Sequence, residues 1–174
     1  MSSYGRESVW QKTGLTFRLL IGCFIVIGMA YLYVVWIAKT PMSTYWPQAG
    51  LWAAVGWGAS RLHIRPVVVL FLLGVMIDLL VGAPVGCWAS VLLAAFLVSS
   101  LFRKRAQTDR SGMIRFFGDV ASFVVAFIFA RWLIGAYLDG VDTREIAGSF
   151  LTAGLLFFPF RALFRLSDDN RVDA

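Results

Sequence analysis

The sequence predicts an all-α fold, a polytopic membrane helix bundle with about six transmembrane helices and both termini on the cytoplasmic side. The first reason is composition: 59% of the 174 residues are apolar and only 15% are charged, against about 25% charged residues in a soluble domain. The second is patterning, because long apolar runs alternate with short charged clusters, as in helices that cross lipid. The third is the uneven distribution of basic residues between those clusters.

Six apolar runs follow one another in a single transmembrane domain. The first exceeds the ~20 residues that a spanning helix needs, and it is too long for the apolar core of a signal peptide. The second and third runs are short, since 16 helical residues reach only ~24 Å. We interpret them as two short spans, because a hairpin would leave Arg61 and Arg65 at mid-depth. The runs cover residues 15–38, 45–60, 66–81, 87–102, 116–138 and 146–166.

The basic residues predict the orientation of the bundle. They concentrate in the N-terminal segment, after the second run, after the fourth run and at the C-terminal end. The other gaps hold only Lys39 and Arg144 as basic residues, beside three acidic ones. Cytoplasmic loops are enriched in Lys and Arg, so this pattern predicts cytoplasmic termini and an even number of spans. We interpret the net charge of +6 as a topology signal and a contact with anionic lipid, not as nucleic-acid binding.

Residue types that build catalytic and metal sites are scarce in this chain. His63 is the only histidine, and Cys23 and Cys87 are the only cysteines. The sequence contains no phosphate-binding loop and no Ser-His-Asp candidate set. We therefore predict a protein that is not an enzyme and that needs no cofactor and no metal.

Two charged residues inside the apolar runs are candidates for a functional role. Asp78 ends the third run and is followed by Gly82, Pro84 and Gly86. It either caps a turn at the level of the headgroups or makes a buried contact that fixes helix packing or a partner interface. Arg131 lies at a similar predicted depth in the fifth run. Its guanidinium either snorkels to the interface, which we favour, or pairs with Asp78.

Two further patterns concern helix packing. Asp119 lies four residues after Arg115, the spacing at which two side chains meet on one helix face. Gly50, Ala54 and Gly58 recur at four-residue spacing, which lets helices approach closely. We interpret this small-residue pattern as internal packing in preference to a partner surface.

The segment YWPQAGLW at residues 45–52, followed by FLLGVMIDLLVGAPVG at residues 71–86, resembles the MreD family of rod shape-determining proteins. That family has a short helix that begins at a proline, and then a core similar to Gly-x-x-x-Asp-Leu-x-x-Gly-x-x-x-Gly. The resemblance extends over roughly residues 45–105, and Trp46 stands where the family typically has a basic residue. The residues that match the core motif are Gly74, Asp78, Gly82, Pro84 and Gly86.

The resemblance implies a non-enzymatic scaffold of the cell-wall elongation machinery, located in the bacterial inner membrane and needed for rod shape. Its direct partner would be MreC, in a wider complex with MreB, RodA and a class B penicillin-binding protein. No catalytic residues are implied, so we regard the five motif residues and Arg131 as structural or partner-interface positions. The alternative is a small transporter or a lipid- or vitamin-binding module similar to the S-components of energy-coupling-factor transporters, which are also compact six-helix proteins. A membrane-embedded enzyme is the least favoured interpretation.

Overall fold

The computed structural model describes residues 15–37, 47–58, 64–109, 112–137 and 143–164. Within these ranges almost every residue is helical and none is in a strand, which confirms the predicted all-α bundle. A short π-helical segment, Tyr33–Ile37, continues the first helix. The six α-helices are α1 Leu15–Leu32, α2 Ala49–Trp57, α3 Ile64–Val81, α4 Cys87–Asp109, α5 Gly112–Tyr137 and α6 Thr143–Phe164.

The long helices have the length and surface of membrane-spanning helices. Three segments are long and apolar enough to cross a bilayer, Thr16–Trp36, Ile64–Val81 and Phe116–Leu133, and the apolar parts of α4 and α6 are somewhat shorter. Large apolar side chains point outwards along them: Phe24, for example, is 81% exposed. A surface of this kind is costly in water and favourable against lipid tails. The chain therefore has the character of a helical membrane protein.

The helices alternate in direction, as the six-run prediction requires. Gly22, in the first half of α1, lies against Trp57 at the end of α2 and against Phe164 at the end of α6. Asp119, near the start of α5, pairs with Arg161 close to the end of α6. These residues define one end of the bundle, which we call the Arg161 end. The α3–α4 loop lies at the other end, which we call the Gly86 end.

The second apolar run differs from the predicted short span. Its helical part, α2, has only nine residues, all of them buried, and is about 13 Å long. Other helices surround α2, which contacts α1, α3, α4, α5 and α6. A helix that is apolar on every side is suited to a protein interior, and α2 lies at the centre of the bundle with all of its residues buried. The third run agrees better with prediction, since α3 reaches 18 residues by beginning at Ile64.

Several predictions concern residues outside the described ranges. Among them are Lys39, Arg61 and His63, the acidic residues 139 and 142, and both chain termini. The basic cluster at residues 103–105 lies in the described backbone of α4, but its side chains are outside the description.

Candidate functional site

The motif that carries the family resemblance forms the α3–α4 helical hairpin, and Asp78 is its centre. Asp78 lies in the last turn of α3 and is fully buried. The backbone N–H of Gly86 donates to Oδ2 of Asp78 at 2.8 Å, and the N–H of Trp88 donates to Oδ1 at 2.8 Å. Trp88 lies in the first turn of α4 and Gly86 immediately precedes that helix, a place where backbone N–H groups have no acceptors within the helix. Asp78 is thus an N-cap supplied by the neighbouring helix.

This arrangement also resolves an electrostatic problem at the end of α3. A carboxylate in the last turn of its own helix faces the negative end of that helix dipole. The positive N-terminal end of α4 lies directly against the same carboxylate. Because α4 supplies both the field and the hydrogen-bond donors, Asp78 is stabilised without a cation.

Glycines allow the chain to turn back between the two helices. Gly82 and Gly86 have φ angles of +71° and +97°, a region that other residues rarely adopt. The turn begins where the N–H of Ala83 donates to the carbonyl of Asp78 at 2.9 Å. It closes where the N–H of Cys87 donates to the carbonyl of Pro84 at 3.1 Å. The turn therefore requires the two motif glycines, and Pro84 lies within it.

Gly74 brings the two helices of the hairpin together. A Cβ atom at this position would lie 2.2 Å from Cα of Ala89. No real Cβ atom can occupy that space, so the backbones of α3 and α4 are in direct contact at this crossing. Gly74 and Asp78 are one turn apart on the same side of α3, and together they fix both the distance and the register of the hairpin.

Both interpretations of Asp78 thus prove partly right. Asp78 caps a turn, which was one alternative. It also makes a buried contact that fixes helix packing, which was the other. Because its side chain is fully buried, Asp78 cannot contact a partner protein directly. Of the motif residues, only Gly82 and Pro84 are exposed.

The hypothetical pair between Asp78 and Arg131 is not formed. Both carboxylate oxygens of Asp78 accept backbone N–H groups, and the side chain of Arg131 is exposed on α5. Helix α4 separates the two, since it packs extensively against both α3 and α5. This outward position of Arg131 agrees with a guanidinium that snorkels to the interface, the interpretation that we favoured.

The small-residue pattern on α2 serves internal packing. A Cβ atom at Gly50 would lie 3.1 Å from a methyl group of Leu92, and one at Gly58 would lie 2.6 Å from Oγ of Ser99. The Ser99 hydroxyl also donates to the carbonyl of Val55 at 2.9 Å. Both contacts join α2 to α4, which confirms internal packing in preference to a partner surface.

The Arg161 end holds an ion pair that sequence reasoning missed. Nη2 of Arg161 lies 2.7 Å from Oδ2 of Asp119, and the side chains are 24% and 1% exposed respectively. Asp119 was expected to meet Arg115 on its own helix, whose side chain lies outside the description. The pair joins the start of α5 to the end of α6. The available signal was that both residues lie at the same predicted end of the membrane, but sequence alone does not place α5 beside α6.

Aromatic rings connect α6 to the rest of the bundle. Trp52 on the central helix stacks on Phe160 with ring centroids 5.5 Å apart, and its Nε1–H donates to the carbonyl of Ala153 at 2.8 Å. Phe123 of α5 meets Phe157 edge to face. These contacts anchor α6 to α2 and α5.

Among the described residues, no group of three or more His, Cys, Asp or Glu side chains is placed to hold a metal ion. No protein-family model, no curated protein and no solved structure matches the chain. The resemblance to the MreD family therefore stays a prediction from the sequence.

Proposed function

We propose that this protein is a non-enzymatic scaffold of the bacterial cell-wall elongation machinery, which spans the inner membrane several times and binds MreC. One observation carries the proposal: the residues that match the MreD core motif form one structural unit. Asp78, Gly74 and the turn glycines all act within the α3–α4 hairpin. A motif used in this way specifies a shape, as a scaffold requires, and not a reaction centre.

The outer surface of the hairpin supplies the contact area in this proposal. Leu72 and Leu79 lie seven residues apart on α3, and both are well exposed. In a membrane such a surface meets either lipid or the transmembrane helix of a partner. MreC is bitopic, so its single membrane helix is the element expected to pack there, through shape complementarity and van der Waals contact.

Photo-crosslinking in cells of the source organism tests this proposal. A photoreactive amino acid is placed at Leu72 or Leu79, and matched controls carry it at Leu97 and Ile128, which are similarly exposed on α4 and α5. Crosslinked partners are identified by mass spectrometry. Crosslinks to MreC from the two α3 positions, and not from the controls, are the expected result.

Other results would change the assignment. Recovery of an ATPase-coupled membrane partner or a bound vitamin-like molecule, with no MreC from any position, would support the S-component-like alternative. Substitution of Asp78 is a poor test of partner binding, because its carboxylate holds the hairpin together and its loss would disturb the fold.

A further inference from the structure

The last turn of α6 follows a proline. Pro159 lies inside this helix, which ends at Phe164. Proline has no backbone N–H, so the helical hydrogen bond to the carbonyl of Leu155 cannot form, and the proline ring crowds that carbonyl. Sharp bends in helices occur mostly at such positions. Residues 160–164, which we call the α6 end segment, are therefore joined to the rest of α6 by a weakened helix.

Phe164 covers the end of α2 with this segment. It is only 1% exposed. A Cβ atom on Gly56 of α2 would lie 2.5 Å from Cβ and 2.7 Å from the carbonyl oxygen of Phe164, so the two backbones are in direct contact. A Cβ atom on Gly22 of α1 would lie 3.5 Å from the Phe164 ring. Movement of the α6 end segment would therefore uncover the end of α2.

The ion pair with α5 holds the α6 end segment from another side. Nη2 of Arg161 lies 2.7 Å from Oδ2 of Asp119. Within the described ranges, this Oδ2 accepts no hydrogen bond and Nε of Arg161 donates none, although Asp119 makes another interaction. The contact is thus an attraction of charges that leaves hydrogen-bonding capacity of both side chains unused.

The two ends of the bundle differ in how completely their buried polar atoms are hydrogen-bonded. At the Gly86 end, both carboxylate oxygens of Asp78 accept backbone N–H groups. In the described ranges, the buried side-chain atoms without a hydrogen bond all belong to the Arg161 end: Nε of Arg18, Nε1 of Trp57, Oδ2 of Asp119 and Nε of Arg161. Arg18 and Asp119 make other interactions, but Nε1–H is the only polar group of the Trp57 side chain. An unmade hydrogen bond at a buried atom is costly, and water would supply it if this end opened.

We propose that the α6 end segment is a latch, which moves about Pro159 and opens the Arg161 end of the bundle to water. Burial of Phe164 and the charge of Asp119 opposite Arg161 favour the closed state. Hydration of the Trp57 indole and of the Arg161 guanidinium favours the open state. Because these contributions oppose each other, the open state is a minor state that the native protein visits by local opening. This motion is a property of the isolated chain and does not require the proposed scaffold role.

Hydrogen exchange of the full chain in lipid nanodiscs, followed by mass spectrometry, tests the latch. An amide beneath a latch exchanges when the latch opens. Residues 54–58 at the end of α2 should therefore exchange through the same opening as residues 160–164. Fraying of α6 alone would expose residues 160–164 and leave the end of α2 protected.

Two variants should shift the opening in opposite directions. Asp119→Asn removes the charge opposite Arg161 and should speed exchange at both places by at least about tenfold. Pro159→Ala restores the N–H that bonds to the carbonyl of Leu155 and should slow exchange at both places by about fivefold.

The matched control is Leu151→Ala, which changes a side chain that is 67% exposed on the same helix and should alter neither rate. The amides of Gly86 and Trp88 report on the opposite end and should keep their rates in every variant. Acceleration by Asp119→Asn that is confined to residues 160–164, or that is equally large at Gly86 and Trp88, would overturn the proposal. If Asp119→Asn does not fold, Pro159→Ala decides, because unchanged exchange at the end of α2 in that variant would also overturn it.

Discussion

At the scale of single residues, the clearest prediction concerns the contribution of Asp78 to the stability of the fold. Its carboxylate accepts two backbone N–H groups from the start of α4, each at 2.8 Å. Asp78→Ala leaves both N–H groups without their acceptor, and it should destabilise the protein by at least about 2 kcal/mol. Asp78→Asn keeps one carbonyl oxygen and should lose about half as much. Thermal unfolding in detergent measures both effects.

Ser100→Ala is a suitable control for these variants. The Ser100 hydroxyl donates to the carbonyl of Leu97 within its own helix, on the outside of the bundle. Removing it should hardly change the unfolding temperature. If Asp78→Ala unfolded at the same temperature as this control, the cap would not contribute to stability. Helix packing alone would then determine the geometry of the hairpin.

At the scale of helices, alanine substitutions at Gly74 and Gly28 should have very different effects on stability. Gly74→Ala would place a methyl group 2.2 Å from Cα of Ala89, so α3 and α4 must separate or shift. We expect a loss of about 1–3 kcal/mol or more from such overpacking. Gly28→Ala is the matched control, since a Cβ atom there meets nothing within 4 Å. It should be neutral or slightly stabilising because alanine favours the helix.

Fluorescence-detected size-exclusion chromatography after heating compares the two variants directly. Equal melting of Gly74→Ala and Gly28→Ala would mean that the α3–α4 crossing is looser than its geometry indicates. A lower melting temperature for Gly74→Ala alone would confirm that the motif glycine sets the helix separation.

The ion pair between α5 and α6 allows a second test at this scale. Breaking a buried pair leaves one charge without its partner and costs about 3–5 kcal/mol. Arg161 keeps 24% of its side chain exposed, so Asp119→Asn or Arg161→Gln should fall at or below the lower end of that range. The double variant Asp119→Leu with Arg161→Met removes both charges and should recover much of the loss.

A double-mutant cycle on unfolding free energies, with Asp119→Leu, Arg161→Met and the two combined, separates the pair from its surroundings. Strong coupling between Asp119 and Arg161 is the expected result. If the losses of unfolding free energy in the two single variants were strictly additive, each residue would be stabilised by other contacts. The 2.7 Å contact between Asp119 and Arg161 would then contribute little to stability.

The sequence predicted where the helices lie along the chain better than it predicted which helices pack against each other. Apolar runs placed the six helices because lipid and protein interior select the same side chains. For the same reason they could not reveal that α2 is buried on every side. Asp78 and the turn glycines were recognisable from their spacing, but the acceptor role of Asp78 depends on how α4 folds back. The Asp119–Arg161 pair required knowledge of which helices are adjacent, which no local pattern contains.

At the scale of the whole molecule, the alternation of helix directions predicts opposite labelling of the two ends. Val85, in the α3–α4 loop at the Gly86 end, is 70% exposed, and Met113, at the start of α5 and the Arg161 end, is 73% exposed. The positive-inside rule predicts that the Arg161 end faces the cytoplasm. Single cysteines introduced as Val85→Cys and Met113→Cys, with Cys23 and Cys87 replaced by alanine, report the two sides.

A membrane-impermeant maleimide applied to cells with permeabilised outer envelopes should label Val85→Cys and leave Met113→Cys unlabelled. After lysis of the membrane, both cysteines should react, which controls for their chemical accessibility. Labelling of only Met113→Cys before lysis would invert the orientation while keeping the bundle. Labelling of both before lysis would contradict a membrane-spanning arrangement, because the two ends would then share one compartment. The comparison tests the helix directions and the positive-inside argument independently of any partner.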